Sequence, residues 1–359
     1  DTKDKTTVTN GYTAGKGPQF VSNGGMSFES EEGDIRIKGG EIVNGSGDIS
    51  FKVNRDKGKS ILLEAGEVTH FNETKRSNEV NKVNGETNIL GHFSADATHS
   101  KDDSSNYSGG AIAKNTLIVN KGTTRYEAAN LDLSGAESYA AVQDVSKVDH
   151  VTIESQQDTG NRRDDSDGNT LNAGFSAGGL HGSASIRGSR GRGDTKWTTS
   201  SSKLVGSEDI IGDVDSLTLT GGQVYVQKDD GTMGEMSLKA DRVDVNDLMD
   251  SERYDNSSYD ATLSTNSKDI AGMSENGRFG GAGTLNGHRK DQTTKSYLGD
   301  GVLKDSITDG SVNQDGAGSL ADSLEATQEI TFDKGYGFEI EDTQMITDRD
   351  GYIKKTARD

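Results

Sequence analysis

Three pairs of adjacent carboxylates are the residues of this sequence best suited to acid–base or metal chemistry. Asp102-Asp103, Asp164-Asp165 and Asp229-Asp230 each place two carboxyl groups side by side. Carboxylates of this kind bind Ca²⁺, or transfer protons when a sugar chain is cleaved. Each pair stands among short polar residues and Gly, which are typical of exposed turns. We therefore interpret the pairs as turns and assign no catalytic residue.

The histidines and the absence of cysteine argue against a metal centre. The six histidines show no His-x-x-x-His spacing, and the chain has no Cys to supply a thiolate ligand. His99 and His181 end two similar segments, 93–99 and 175–181, which we interpret as equivalent loops. Equivalent loop positions favour a structural role for both imidazoles. We predict that the protein holds no metal and no cofactor.

A basic and aromatic segment near residue 190 is the best candidate for binding. It contains Arg-Gly-Asp, the tripeptide that integrins read, in a Gly-rich stretch predicted to be a loop. Aromatic and Arg side chains are the commonest anchors of protein interfaces. The alternative is a solvated loop, since the whole chain is rich in Gly and Asp. The binding candidates are Phe175, Arg190, Arg192, Gly193, Asp194, Trp197 and Phe279.

Short β-strands must position all these residues. Runs of Val, Ile, Leu and Thr with a period of two recur along the chain, and Gly, Asn and Asp separate them. Residues 151–159 return in similar form as residues 243–251, a shift of 243 − 151 = 92. Each unit holds too few large apolar residues to close a core alone. The units must therefore stack on one another as a solenoid.

Composition supports a thin, repeated core and excludes some partners. Hydrophobic residues make up 29% of the 359 residues, and Pro18 is the single proline. Inner strands that pair on both sides disfavour Pro, whereas a disordered chain, the alternative at this polarity, usually holds more. The net charge of −20 disfavours nucleic acid and anionic membranes. We predict an all-β fold, a right-handed parallel β-helix with polar loop or hairpin excursions.

The predicted organisation has three parts. Residues 1–60 form the N-terminal coils, residues 61–310 form the repeat-bearing β-helix, and residues 311–359 form degraded C-terminal coils. Three polar excursions leave the repeat region, because strand-forming residues are sparse there. They cover residues near 69–112, 156–202 and 251–300. We predict that function lies in these excursions, since stacking constrains the inner strands.

The order of motifs resembles a known family. The sequence Thr-Ile-Glu-Ser-Gln-Gln-Asp-Thr at 152–159 follows a set of strands, and Gly-Phe-Ser-Ala-Gly-Gly stands at 174–179. Leu-Thr-Leu at 217–219 then precedes a Gly-Gly turn. This pattern resembles the haemagglutinin repeats of filamentous haemagglutinin-like exoproteins, over about residues 60–310. The family includes the effectors of contact-dependent growth inhibition.

The resemblance implies a β-helical filament on the surface of a Gram-negative bacterium. It implies export by two-partner secretion, with an outer-membrane secretion barrel as partner. It also implies contact with a protein or glycan receptor on a target or host cell. The chain begins at Asp1 with no signal-like segment, so we expect a piece of a longer protein. The expected function is a stalk or delivery segment without enzymatic activity. Two alternatives are a polysaccharide lyase or hydrolase on the same fold, and a phage tailspike-like fibre.

Overall fold

The protein is described by a computed structural model that covers residues 1–15, 17–87, 93–176, 179–267, 277–301, 307–310 and 328–340. Over these residues the regular structure is β-strand apart from a single 3₁₀ turn at Arg55–Lys57. No helix in the described ranges has the length and apolar character needed to cross a membrane. The strands form two sheets, one of 15 strands and one of 8.

The 15-stranded sheet winds into a β-helix, which we call the rod. Consecutive short strands turn a corner after each strand, and the strands pair in parallel with those of the next coil. The exception is β17, which pairs antiparallel with β16. The strands of the rod are β2 (Gln19–Ser22), β3 (Met26–Ser30), β4 (Ile35–Lys38), β5 (Glu41–Asn44), β6 (Ile49–Val53), β7 (Ser60–Glu64), β10 (Thr116–Asn120), β11 (Thr123–Asp132), β12 (Ala136–Glu154), β15 (Lys203–Thr220), β16 (Gln223–Gln227), β17 (Met233–Gly234), β18 (Ser237–Asn246), β21 (Tyr297–Leu298) and β22 (Ile307–Gly310).

The core of the rod consists of columns of stacked side chains. Leu131, Val151, Leu217 and Val243 occupy paired positions in four successive coils and are all buried. Such columns arise because the parallel register sets like residues above one another, so a period-2 pattern of Val, Ile and Leu fills the interior. Residues 151 and 243 are the two ends of the 92-residue shift. The predicted stacking of the period-2 strands into a solenoid is therefore confirmed.

Aromatic and amide ladders reinforce the first coils. The rings of Phe28 and Phe51 stack at 4.9 Å between centroids, and Phe51 stacks on Tyr126 at 5.5 Å. Asn44 Nδ2 donates to Asn120 Oδ1 at 3.0 Å inside the rod. Burial raises the pKa of the Tyr126 phenol, whose hydroxyl lies 2.9 Å from Ser138 Oγ. These buried polar side chains are thus paired with one another inside the rod.

The 8-stranded sheet is antiparallel and consists of long strands that leave the rod; we call it the hairpin sheet. Its strand order is β1-β8-β9-β13-β14-β19-β20-β23, with every neighbour antiparallel. Its strands are β1 (Thr2–Ala14), β8 (Gly66–Thr87), β9 (Phe93–Lys114), β13 (Asp158–Ser176), β14 (Gly179–Trp197), β19 (Leu248–Ser267), β20 (Gly277–Thr294) and β23 (Gln328–Ile340).

One hairpin leaves the rod after every second coil in the described ranges. The hairpins β8–β9, β13–β14 and β19–β20 are each separated by two coils of the rod. Two coils advance the rod by about 9.6 Å, and the two strands of a hairpin widen the hairpin sheet by the same amount. The two sheets therefore grow at one pitch. This explains the 92-residue repeat, which holds one hairpin and two coils.

Glycine marks the corner at which a coil continues directly into the next. Gly39, Gly135 and Gly221 occupy this corner between successive coils, each with positive φ. At the alternate coils a hairpin leaves from the same corner instead. A Cβ on Gly221 would lie 2.9 Å from Leu248 Cβ, where the hairpin β19–β20 begins. Glycine thus permits both the left-handed turn and the close approach of the neighbouring hairpin.

The predicted fold class, a parallel β-helix with hairpin excursions, is confirmed. The excursions are regular strands rather than loops, and they pair with one another from hairpin to hairpin. The proposed division at residues 60 and 310 stays a prediction. Residues 311–327 and 341–359, assigned to C-terminal coils, lie outside the described residues, and β23 between them pairs with β20.

Candidate binding surface

The hairpin sheet is a single layer with two faces. Its strands have their main contacts with their neighbours in the same sheet, and most of their side chains are exposed or half-buried. Directly opposed residues of antiparallel strands share a face, and successive residues alternate between faces. We call the face bearing Arg163, Arg190 and Arg192 the arginine face. The opposite face, bearing Ser166 and Ser189, is the hydroxyl face.

Three guanidinium groups crowd the middle of the arginine face. Arg163 on β13 lies directly opposite Arg192 on β14, and Arg190 stands two residues from Arg192 on the same face. All three are exposed, and within the described residues none forms an ion pair at 4.0 Å or less. Opposed like charges on neighbouring strands destabilise a sheet. This repulsion concerns Arg163 and Arg192, since Arg190 lies opposite Asp165 and the other neighbour of Arg192 is Asp255. An anionic ligand would relieve it, so the pair Arg163–Arg192 is suited to bind anions.

An open groove of about 610 Å³ runs beside these arginines. Tyr107, Arg163, Arg192 and Asp194 are among the residues that line it. Tyr107 lies opposite Arg163 across β9 and β13 and supplies an aromatic ring to the same surface. Guanidinium groups bind sulfate, phosphate and carboxylate through forked hydrogen bonds, and an aromatic ring packs against a sugar or a peptide plane. The groove therefore combines the two chemistries needed for an anionic glycan.

The tripeptide Arg192-Gly193-Asp194 lies in the middle of β14, so the predicted loop is wrong. β14 pairs with β13 on one side and β19 on the other along the whole tripeptide. Arg192 and Asp194 project from the arginine face, whereas Gly193 faces the other way. A Cβ on Gly193 would lie 3.1 Å from Tyr254 Cδ2. A fully paired strand presents these side chains as part of a flat surface, not as a protruding turn.

Trp197 belongs to the base of the hairpin, next to the rod. It is the last residue of β14 and lies opposite Asp158 on β13. The Nζ of Lys290 lies 4.4 Å from the centroid of the indole ring, a cation–π contact. Trp197 is half-buried. Its contacts tie β14 to β20, and it stands apart from the groove near Arg192.

A buried carboxylate beside Trp197 joins the hairpin β19–β20 to the two segments that connect the preceding hairpin to the rod. Asp250 Oδ1 accepts from Gln157 Nε2 at 2.6 Å and from the Thr198 amide and hydroxyl at 3.1 and 2.8 Å. Asp250 Oδ2 accepts from Gln292 Nε2 at 3.2 Å and Thr294 Oγ1 at 2.7 Å. Five neutral donors thus satisfy one buried carboxylate.

Sequence reasoning missed Asp250 although the repeat contained the signal. The 92-residue shift places Asp250 on Asp158. Asp158 occupies the same place one hairpin earlier and accepts from the Ala113 amide at 2.7 Å and from the Thr199 hydroxyl. A carboxylate recurring at the start of each of these hairpins indicates a fastening role. Without the strand register, the two residues read as ordinary acidic residues of a polar segment.

The two phenylalanine candidates lie toward the end of the hairpins away from the rod. Phe175 is on β13, opposite Ala95 and Leu180, and its side chain is exposed. Phe279 is on β20, opposite Leu263. The register places Phe175 and Leu171 on the arginine face, four residues apart on one strand. The structure thus brings Arg190, Arg192, Asp194 and Phe175 to one face, and it separates Trp197 from them.

The hydroxyl face carries polar pairs between neighbouring strands. Ser166 Oγ lies 2.8 Å from Ser189 Oγ. The guanidinium of Arg162 lies 4.8 Å from the centroid of the Tyr254 ring, and Tyr254 donates to Asp164 Oδ2 at 2.9 Å. Burial, with the hydrogen bond to Asp164, raises the pKa of the Tyr254 phenol. These side chains already pair with one another, so this face offers fewer free groups than the arginine face.

Two of the three carboxylate pairs lie on strands rather than in turns. Asp102-Asp103 is on β9 and Asp164-Asp165 is on β13, whereas Asp229-Asp230 does form a turn. Adjacent residues of a strand project from opposite faces, so the carboxylates of a strand pair cannot converge on one ion or one substrate. No cluster of three or more metal-ligating side chains occurs among the described residues.

The two histidines compared in the sequence do not occupy equivalent loops. His99 lies on β9 opposite Leu171, and His181 lies on β14 opposite Gly174. Residues 171 and 174 project from opposite faces of β13, so the two imidazoles do as well. His181 Nε2 lies 2.6 Å from Asp96 Oδ1, reaching across Gly174. The prediction that segments 93–99 and 175–181 form equivalent loops is wrong. The two segments have similar sequences but different positions in the strand register.

Comparison with known proteins identifies the repeat. Residues 2–173 match the family model described as Hemagglutinin repeat. This range includes β1, the first hairpin, four coils of the rod and most of β13. No curated protein matches the chain, and no solved structure does. The match supports an adhesin-type segment of a secreted or surface-exposed bacterial protein.

Proposed function

Because residues 2–173 of this chain are a haemagglutinin repeat region of the filamentous haemagglutinin type, we propose that the chain is a rod segment of a surface adhesin whose arginine face contacts another cell. The proposed ligand is an anionic glycan on a target or host cell. The observation that carries the proposal is the unpaired cluster of Arg163, Arg190 and Arg192 in a chain of net charge −20.

The architecture supports such a role. The rod is held by backbone ladders and stacked apolar side chains, which make it stiff along its axis. The hairpin sheet and the rod advance by the same distance per repeat, so every pair of coils adds two strands to one continuous surface. Long strands carry side chains outward from a scaffold that they do not have to stabilise. In this arrangement the rod spans the distance and the hairpin sheet makes the contact.

The wider context extends the proposal. A segment of this type would belong to a two-partner-secretion exoprotein of a Gram-negative bacterium, exported through an outer-membrane partner protein. In an effector of contact-dependent growth inhibition it would form the stalk or delivery part that reaches the target cell. The rod and its displayed sheet fit either an adhesin or such an effector.

The groove near Glu29 on the rod is where a non-enzymatic role can be tested. Glu127 there forms an ion pair with Lys147 at 3.0 Å, whereas Glu31 and Asp56 line the groove without an ion pair among the described residues. A lyase or hydrolase would use free carboxylates of this kind, and a rod segment does not need them. We expect no turnover of pectin, alginate or bacterial glycans by the purified chain. Turnover that one Asp or Glu substitution abolishes would contradict this.

Attachment to cells tests the proposal directly. The variant Arg163→Ala/Arg190→Ala/Arg192→Ala removes the cluster, and we expect at least about tenfold weaker attachment, since each charge-assisted hydrogen bond contributes about 1.5–3 kcal/mol. The control Arg36→Ala/Arg55→Ala/Arg242→Ala removes the same charge from the rod. Attachment should also weaken as salt is raised. Equal loss in both variants, or none in the first, would refute the proposal.

A further inference from the structure

The arginine face becomes apolar toward the end of the hairpins that lies away from the rod. Leu171 and Ile186 are each 55% exposed, Leu263 is 47% exposed and Phe175 is 42% exposed. Leu171, Ala184 and Leu263 lie side by side on β13, β14 and β19, and Ile186 stands two residues from Ala184 on the same face. We call this surface the apolar patch. Its members are Val83, Ala97, Leu171, Ala173, Phe175, Ala184, Ile186 and Leu263.

The same strands are polar on their other face. Thr170, Ser185 and Thr262 are each adjacent in sequence to a patch residue and lie opposite one another on the hydroxyl face. The chain is only 29% hydrophobic, yet apolar residues occur at alternate positions on three neighbouring strands. They are Leu171, Ala173 and Phe175 on β13, Ala184 and Ile186 on β14, and Ala261 and Leu263 on β19. Period-2 alternation of this kind is typical of a strand with one buried face. The sequence therefore indicates that the apolar patch becomes covered.

Charge and shape point to what covers it. The positions opposite Leu171 and Ala173 on β8 and β9 are Asn81, His99, Val83 and Ala97, so neither row brings Asp, Glu, Lys or Arg onto the patch from these strands. In the row of Ile186 the same strands bring Lys101 and Glu79 to the edge of the patch, one charge of each sign. Two identical patches can therefore meet without a net excess of like charge.

The patch is also complementary to itself. In the row Leu171–Ala184–Leu263, a small residue stands between two large ones. When two such rows are related by a two-fold axis, the leucine of one copy can enter the gap above the alanine of the other. Alternation of large and small side chains across facing sheets is how sheets interdigitate at about 10 Å.

The area is sufficient for a stable pair. Five strands at about 4.8 Å and seven residues at about 3.4 Å give a surface of roughly 24 by 24 Å, or about 570 Å². Two copies would bury about 1,100 Å² in total, which reaches the roughly 1,000 Å² expected of a specific interface. This area also contains polar positions such as Asn81, His99 and Asn169. Its apolar part contributes at about 25 cal/mol per Å² before the cost of association.

We propose that the apolar patch binds a second copy of this chain, so that two hairpin sheets pack face to face. The single-layer sheet then becomes one half of a two-layer β-sandwich at its outer end. The arginine cluster lies on the same face but nearer the rod, between the sandwich and the rod. This inference does not depend on the proposed glycan ligand.

Oligomeric state tests the proposal. We expect the full chain to sediment as a dimer at tens of micromolar and physiological ionic strength. Leu171→Lys/Ile186→Lys/Leu263→Lys places six charges in the interface of a dimer and should give a monomer with unchanged β circular dichroism. The control Thr170→Lys/Ser185→Lys/Thr262→Lys adds the same charges at adjacent positions on the hydroxyl face and should remain dimeric.

Single cysteines provide an independent readout, because the chain has no cysteine. A short bismaleimide should cross-link Ala184→Cys to a second copy, whereas Ser185→Cys, on the hydroxyl face, should not be cross-linked. A monomeric wild-type chain would overturn the proposal, as would a dimeric Leu171→Lys/Ile186→Lys/Leu263→Lys variant. A monomer that floats with phosphatidylcholine vesicles through the same three residues would assign the patch to a lipid surface instead.

Discussion

The rod and the hairpin sheet are both built of many strands, but different interactions stabilise them. In the rod, apolar residues such as Ile153 and Leu219 face inward and are buried from one coil to the next. The described strands of the hairpin sheet form a single layer without an interior, and they are held by backbone ladders and polar pairs such as Ser166–Ser189. One region depends on the hydrophobic effect, and the other on register and side-chain pairing.

Glycine shows the difference most clearly. In the rod it stands at corners such as Gly221, where φ is positive. In the hairpin sheet glycine stands within a strand, and side chains from the two neighbouring strands contact each other above it. Arg187 Nη2 donates to Asp102 Oδ1 at 2.6 Å across Gly168, where a Cβ would lie 2.2 Å from that oxygen. Glycine therefore shapes the backbone in one region and makes room for side chains in the other.

The largest contrast is expected from removing an aromatic ring in each region. Phe51 is fully buried between Phe28 and Tyr126, and Phe51→Ala should cost about 3–5 kcal/mol of unfolding free energy. Phe71 on β8 is 41% exposed, and Phe71→Ala should cost less than about 1 kcal/mol. Denaturant unfolding of the two variants measures both values. Equal losses would mean that the hairpin sheet shares the core of the rod.

The next effect is expected at the junction between the two regions. Asp250→Ala removes the acceptor of five hydrogen bonds and leaves buried donors unpaired, at a cost of about 1–3 kcal/mol. Hydrogen exchange of the Thr198 amide, which donates to Asp250, should quicken while the amides of Val151 and Leu217 in the rod stay protected.

The matched control is Asp255→Ala, which removes an exposed carboxylate from the same strand. It should leave the exchange of the Thr198 amide unchanged. If Asp250→Ala also exposes the rod amides, the hairpin base and the rod unfold as one unit, and the comparison between independent regions fails.

The smallest effect is expected from acid titration of two exposed carboxylates. A hydrogen bond from Arg125, and then one from the Thr123 amide, lowers the pKa of Asp48 on the rod. Hydrogen bonds from Ser77, and then Lys101, lower the pKa of Asp103 on the hairpin sheet. A carboxylate with a lowered native pKa stabilises the fold above its unfolded pKa of about 3.9, and this stabilisation is lost as pH falls through the native value.

Each carboxylate should act in its own region. Asp48→Asn should flatten the acid limb of global stability below about pH 4, while Asp103→Asn should alter only the local exchange of β8 and β9. A global effect from Asp103→Asn would show that the two regions are coupled more tightly than the fold suggests. Stability measured against pH for both variants, with exchange at matched pH, decides this.

The sequence by itself determined the rod. Alternating Val, Ile and Leu with turn residues between them has few solutions other than stacked coils, and the shift from Val151 to Val243 indicated the stacking period. The polar excursions and their approximate extent also followed from composition. These features are local and periodic, so a pattern along the chain is enough to reveal them.

Only the tertiary structure decided what the excursions are. Ser, Asn, Asp and Gly in residues 156–202 favour turns locally, and they form two 19-residue strands because neighbouring hairpins pair with them at the pitch of the rod. Long-range pairing overrides local preference. It placed Arg163 opposite Arg192, moved Arg192-Gly193-Asp194 from a loop into a strand, and gathered Leu171, Ile186 and Leu263 on one face. Register between strands of different hairpins, such as Tyr107 with Arg163 and Ala184 with Leu263, is not encoded in any local pattern, and that register creates the candidate surfaces.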